Sequence, residues 1–110
     1  MNELIEKIIK FRNERNWEQF QDIKDLLLGL NIEVGELQEQ FLWSNKDIDN
    51  SIEINYEIAD VFIFLVYICD KLKIDLKDAV LAKLKIHEDH YPIELSKDKT
   101  VKYTNLGRKS

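Results

Sequence analysis

Two pairs of acidic residues interrupt the most apolar stretches of this chain, and they constrain how it can fold. They read Glu33-x-x-Glu36 and Glu57-x-x-Asp60. Residues three apart share a helix face, so each pair sets two carboxylates side by side. The surrounding pattern is helical. At about 100° per residue, Leu26, Leu30, Val34, Leu37 and Phe41 form one stripe, with Glu33 at its edge and Glu36 one step further round. Leu28 and Ile32 add apolar surface beyond, where a solvated face would carry polar residues. Four carboxylates facing one another among apolar side chains repel strongly, and burial requires that a cation or protons neutralise them. An oxygen-only donor set favours a hard ion, Mg²⁺, with Mn²⁺ as a substitute.

The rest of the chain reads as helix. With only three glycines and one proline (Pro92), long helices are easy and hairpins are hard. The pattern predicts a first helix over residues 3–15, a bend around Trp17 and Phe20, and a second helix over about 23–42. A polar loop follows at Ser44–Asn50. Ser51 is placed to cap a third helix that runs to about Leu72, and Asp75 to cap a fourth that stops near Tyr91-Pro92. Gly35 removes side-chain bulk between the first two acids and would let another helix approach, at about 1 kcal/mol in helix propensity. From Val61 to Cys69 the third helix is apolar on every side, which implies burial on every side. In a chain of 110 residues that predicts a second subunit. The expected architecture is an all-α four-helix bundle over residues 1–92, assembled as a homodimer or homotetramer, with a polar tail over 93–110.

Composition excludes several classes. The net charge of −5 disfavours a binder of nucleic-acid polymers, which would present a basic face. The run Val61–Cys69 is too short to cross a bilayer, and the charged start shows no signal peptide. A single cysteine, Cys69, fits a reducing compartment, so the expected location is cytoplasmic. The histidines His87 and His90 do not follow glutamate at the Glu-x-x-His spacing of di-iron bundles. Glu53 shares a face with Glu57, but Glu53 and Glu39 read as solvated; Gln40 shares the face of Glu33.

One Glu-x-x-Glu alone is ordinary on a solvated helix. Two such pairs resemble the MazG-type all-α nucleoside triphosphate pyrophosphohydrolases, and most nearly the dCTP-cleaving members of that family. The likeness is carried by Asn16-Trp17-Glu18-Gln19-Phe20, Glu33-Val34-Gly35-Glu36-Leu37, Trp43, Glu57-Ile58-Ala59-Asp60-Val61, Asp75-Leu76, Ala79-Val80, Lys83, Tyr91-Pro92 and Lys102-Tyr103-Thr104. The resemblance implies hydrolysis of a (deoxy)nucleoside triphosphate, dCTP or a modified pyrimidine nucleotide, to monophosphate and pyrophosphate. It implies Glu33, Glu36, Glu57 and Asp60 as the catalytic Mg²⁺ site. It places Trp17 and Trp43 at the base, Gln21 and Phe64 among the residues that bind the nucleotide, Lys83 and His87 on the phosphate side, and Lys102 and Tyr103 in a tail that closes over a neighbouring subunit's site. The departures spare the acids. Gln21 replaces the family's histidine, Ile23-Lys24-Asp25 its Pro-Lys/Arg-Asn, Phe64 a tyrosine, His87 an asparagine, and His90 a basic residue before Tyr91. Other readings are a dUTPase-like or broad-specificity pyrophosphatase, a non-catalytic helical oligomerisation module, and a metal switch without hydrolysis.

Overall fold

The computed structural model describes residues 2–42 and 52–106. Among them every regular element is helical: α1 (Asn2–Glu14), a 3-10 turn (Trp17–Phe20), α2 (Ile23–Leu42), α3 (Ile52–Leu72), α4 (Leu76–His90), the one-turn α5 (Ile93–Ser96) and a second 3-10 turn (Tyr103–Asn105). The all-α expectation is met, with helix bounds within a residue or two of the sequence reading. The Ser44–Asn50 loop and the Ser51 cap lie outside the described residues.

Local chemistry sets these boundaries. Asn16 takes the left-handed conformation (φ 51°), which a short polar side chain tolerates, and the chain reverses there into the 3-10 turn. Asp22 Oδ1 accepts the Asp25 N–H at 2.9 Å, satisfying one of the free donors at the start of α2. Helix α3 closes with Lys73 at φ 59° and the Ile74 N–H donating to Cys69 O at 2.8 Å, a Schellman-type end. Asp75 caps α4 as the sequence predicts, accepting the Asp78 N–H at 3.0 Å.

The chain divides into two compact units, Met1–Ile74 and Asp75–Ser110. In the first, α2 and α1 both pack on α3. Leu26, Tyr67 and Ile68 form the buried core, with Ile8, Ile9, Ile23, Leu30, Ile63 and Phe64 packed around them. The chain alone covers only part of α3: Val66, Tyr67 and Ile68 are buried, while Leu65, Ile58 and Tyr56 are exposed. The glycines correct one expectation. A Cβ on Gly35 would meet nothing within 4 Å, so no close approach occurs there. The close approach is six residues earlier, where a Cβ on Gly29 would fall 2.7 Å from Cζ of Phe64. It is the Phe64 ring that lies on the α2 backbone, at Gly29.

Arg12 is the one buried charged residue among those described, at 2% exposure. Its Nη2 donates to Asp70 Oδ2 at 2.9 Å and to Asn13 Oδ1 at 3.0 Å, and Nε donates to the same Asn13 oxygen at 3.1 Å. The guanidinium also sits 5.6 Å from the Tyr67 ring centre. It ties the end of α1 to the end of α3.

In the second unit, α4 ends at His90; the next residue, Tyr91, donates its N–H to His87 O at 2.7 Å, and Pro92 prevents continuation. The segment read as a polar tail carries regular structure. After α5, the turn at Tyr103 brings its ring onto His90, with centroids 3.9 Å apart and planes 12° from parallel. Tyr91 meets Tyr103 edge-on at 6.1 Å. These aromatic contacts anchor the turn to the end of α4.

Candidate metal centre and adjoining cavity

The two acid pairs meet across α2 and α3. One carboxylate oxygen from each of Glu33, Glu36 and Glu57 lies within 4.8 Å of the other two. The spacing explains how: i and i+3 on α2 face the same direction, and the packing of α2 on α3 brings Glu57 opposite them. The electrostatics are those of crowded anions. Desolvation and the charges of Glu36 and Asp60 push the Glu33 carboxyl up to about 7. Glu57 is raised as well, by desolvation and then by Glu36. Glu33 Oε2 and Glu57 Oε2 are buried without a hydrogen-bond partner. Buried acceptors are ordinarily satisfied, so these two call for a ligand. A divalent cation fits the donor set: all oxygen, anionic, convergent and unsatisfied.

Asp60, the fourth predicted ligand, is exposed and stands outside the tight trio, yet its charge acts on Glu33 and Glu57. It also lines a cavity of about 590 Å³. Trp17, Gln21 and Phe64, three of the residues expected around a base, line the same cavity. Leu4, Ile8 and Phe11 of α1, with Ile63 and Tyr67 of α3, complete its apolar wall. The ring of Trp17 meets Phe11 edge-on at 5.7 Å. Gln21 Oε1 is another buried acceptor without a partner.

Trp43 lies outside the described residues. Lys83 and His87 lie on α4, and Lys102 and Tyr103 at the second 3-10 turn, all in the second unit. Tyr103 is engaged with His90, and His87 has its ring 6.0 Å from that of Tyr91. Sequence reasoning missed the role of α1. The spacing of Leu4, Ile8 and Phe11 predicts only a helix, and the cavity they line was not foreseen. The signal was there in Trp17 so soon after Phe11, an aromatic pair in a segment too polar to be core.

Comparisons with known proteins identify the family. A model of the MazG-like family matches residues 28–106. The dCTP pyrophosphatase 1 of Mus musculus is 37% identical over 107 residues, covering 90% of this chain and 63% of that protein. The Homo sapiens protein of the same name is 37% identical over 105 residues, covering 88% and 62%. The chain thus spans less than two thirds of the length of these relatives. A crystal structure of a pyrophosphatase from Archaeoglobus fulgidus superposes with a TM-score of 0.72 at 35% identity, covering 84% of this chain and 92% of that one. The chain belongs to the MazG-like family.

Proposed function

We propose that this protein is a Mg²⁺-dependent pyrophosphohydrolase that cleaves a (deoxy)nucleoside triphosphate, dCTP or a modified pyrimidine nucleotide, to monophosphate and pyrophosphate. One observation carries the reading. Three carboxylates from two helices converge, two of them (Glu33 and Glu57) with a buried oxygen that has no partner, beside a cavity walled by Trp17 and Phe64 and bordered by Asp60. The names of the relatives support it, since each is called a pyrophosphatase and the curated ones act on dCTP.

Glu33, Glu36 and Glu57, with Asp60, would hold the metal. The bound ion supplies charge neutralisation and Lewis-acid polarisation at the triphosphate. The chain's own groups do the rest. Trp17 and Phe64 offer ring faces to the base, and the apolar wall excludes water from it. A carboxylate oxygen of the quartet that is not engaged as a ligand orients a water against the α-phosphorus and takes its proton as the new P–O bond forms. The α–β bridging bond breaks and pyrophosphate departs. In the chain alone the crowding of carboxylates pushes Glu33 up to about 7 and raises Glu57 as well, so the cluster favours holding a proton. A cation held by these carboxylates would take the place of that proton.

In the family arrangement that we adopt, residues 1–92 complete a four-helix bundle. The 93–110 segment brings Lys102 and Tyr103 to a neighbouring active site, and Lys83 and His87 serve the phosphates. Exposed Leu28 and Ile32 on α2, with Ile58 and Tyr56 on α3, support a homodimer or homotetramer that covers them. Among the described residues no helix is long and apolar enough to cross a membrane. The free thiol of Cys69, pushed up by burial, is consistent with a reducing cytoplasm. A pyrophosphate-release screen over the common nucleoside triphosphates, with and without Mg²⁺, tests the proposal. We expect metal-dependent release from a pyrimidine triphosphate; no release from any of them would refute it.

A further inference from the structure

We propose that the Gln21 side-chain amide reads the hydrogen-bonding edge of the bound pyrimidine and, because nothing holds it in one orientation, serves 4-amino and 4-oxo bases alike. This rests on the reading above that the cavity takes the base of a nucleotide. The backbone of Gln21 is fixed on both sides. Its N–H donates to Glu18 O at 3.0 Å, and the next residue, Asp22, caps α2. The side chain is different. Gln21 lines the cavity, its Oε1 is buried without a partner, and among the described residues no hydrogen bond holds its amide.

A primary amide presents an acceptor and a donor side by side. A half-turn about its last torsion exchanges them at little cost, because that torsion is broad and roughly two-fold. Cytosine presents a donor (the 4-amino group) beside an acceptor (N3). Uracil and thymine present the reverse order, an acceptor (O4) beside a donor (N3–H). Each order matches one orientation of the amide. A neighbour that bonded Oε1 or Nε2 would select one orientation and hence one base. The other cavity groups do not supply that selection. Trp17 and Phe64 offer rings, to which any base can stack; the Tyr67 hydroxyl can donate or accept, the exposed Lys7 ammonium can donate to the 2-oxo group that every pyrimidine carries, and Asp60 belongs to the acid site. The structure therefore favours a pyrimidine pocket that is permissive at position 4 of the base.

The test is binding, measured separately from cleavage. The full chain with Mg²⁺ is titrated calorimetrically with α,β-imido dCTP and α,β-imido dTTP, neither cleavable between the α- and β-phosphates. The wild type is expected to bind the two within about tenfold of each other, less than a fixed bidentate contact would discriminate. Gln21→Leu is expected to weaken both by about tenfold or more. Gln21→Glu, an acceptor only when ionised, meets one donor on each base (the 4-amino group or N3–H) and is expected to weaken both analogues without separating them by more than about tenfold. A wild-type preference above about a hundredfold, or Gln21→Leu binding both analogues as the wild type does, overturns the inference. Pyrophosphate release from dCTP is assayed alongside. Even-handed binding without release keeps this inference and removes the hydrolase reading. Release from dCTP with binding of only one analogue removes this inference and keeps the hydrolase.

Discussion

Arg12 and Glu57 both bring charge into the first helical unit, and they do so in opposite ways. Arg12 is fully matched by the chain: Asp70 and Asn13 accept its protons at 2.9–3.1 Å, and Tyr67 lies under the guanidinium. Glu57 meets only its own kind. Its nearest charged neighbours are further carboxylates, its pKa is raised, and one oxygen has no partner. The contrast separates two uses of buried polarity. A satisfied cation joins helices and is complete without a ligand. An unsatisfied anion cluster is incomplete in the chain alone, and its repulsion is a standing cost that only a ligand or protons relieve. Removing Arg12 should therefore damage stability, and removing Glu57 should damage chemistry.

The sharpest test of this contrast is Glu57→Ala. We expect pyrophosphate release to fall by about a thousandfold or more, while the helical circular dichroism persists and the metal-free melting temperature holds or rises. A loss of fold would break the comparison. Arg12→Ala should do the reverse, lowering stability by about 2–4 kcal/mol in urea titration because Asp70 loses its partner, with turnover retained under folding conditions. Gly29→Ala comes next. Its new Cβ would force the Phe64 ring aside, at about 1–3 kcal/mol. The pH dependence is gentler. Glu33 has a folded-state pKa of about 7, above the ordinary 4.5. Its protonated form thus favours the fold below about 4.5, and that contribution is lost as pH rises through about 7. The urea midpoint of the metal-free protein should drift downward over that window, and Mn²⁺ should restore it at the alkaline end. The smallest effect is Gly35→Ala, which should gain about 1 kcal/mol, since the helix accepts alanine and open space surrounds the position.

Much of the fold was legible because local rules suffice for it. Asp75 caps α4, Pro92 follows its end, and the apolar stripe of α2 faces α3, all from spacing and side-chain chemistry. The acid trio was legible for the same reason: i, i+3 pairs on two helices can hardly avoid sharing faces. What escaped were facts of tertiary register. Either glycine of α2 permits a close approach, and only the packing chooses Gly29 over Gly35. Arg12 carried no signal in the sequence, because its partner Asp70 lies far along the chain. Tyr103 looked like part of a tail, because stacking on His90 depends on a turn that no periodicity announces.

Phe64 faces two ways, toward the cavity and onto the bare backbone at Gly29. That ring has no room to retreat, so the pocket has a hard floor. The opposite wall is softer, built from Leu4 and Phe11 of α1, both nearly half exposed. A bulkier guest would have to be accommodated by α1 moving outward, leaving the α2–α3 pair and its acids undisturbed. Under the proposed function, adaptation to new bases would be mechanically decoupled from the carboxylates that would hold the ion.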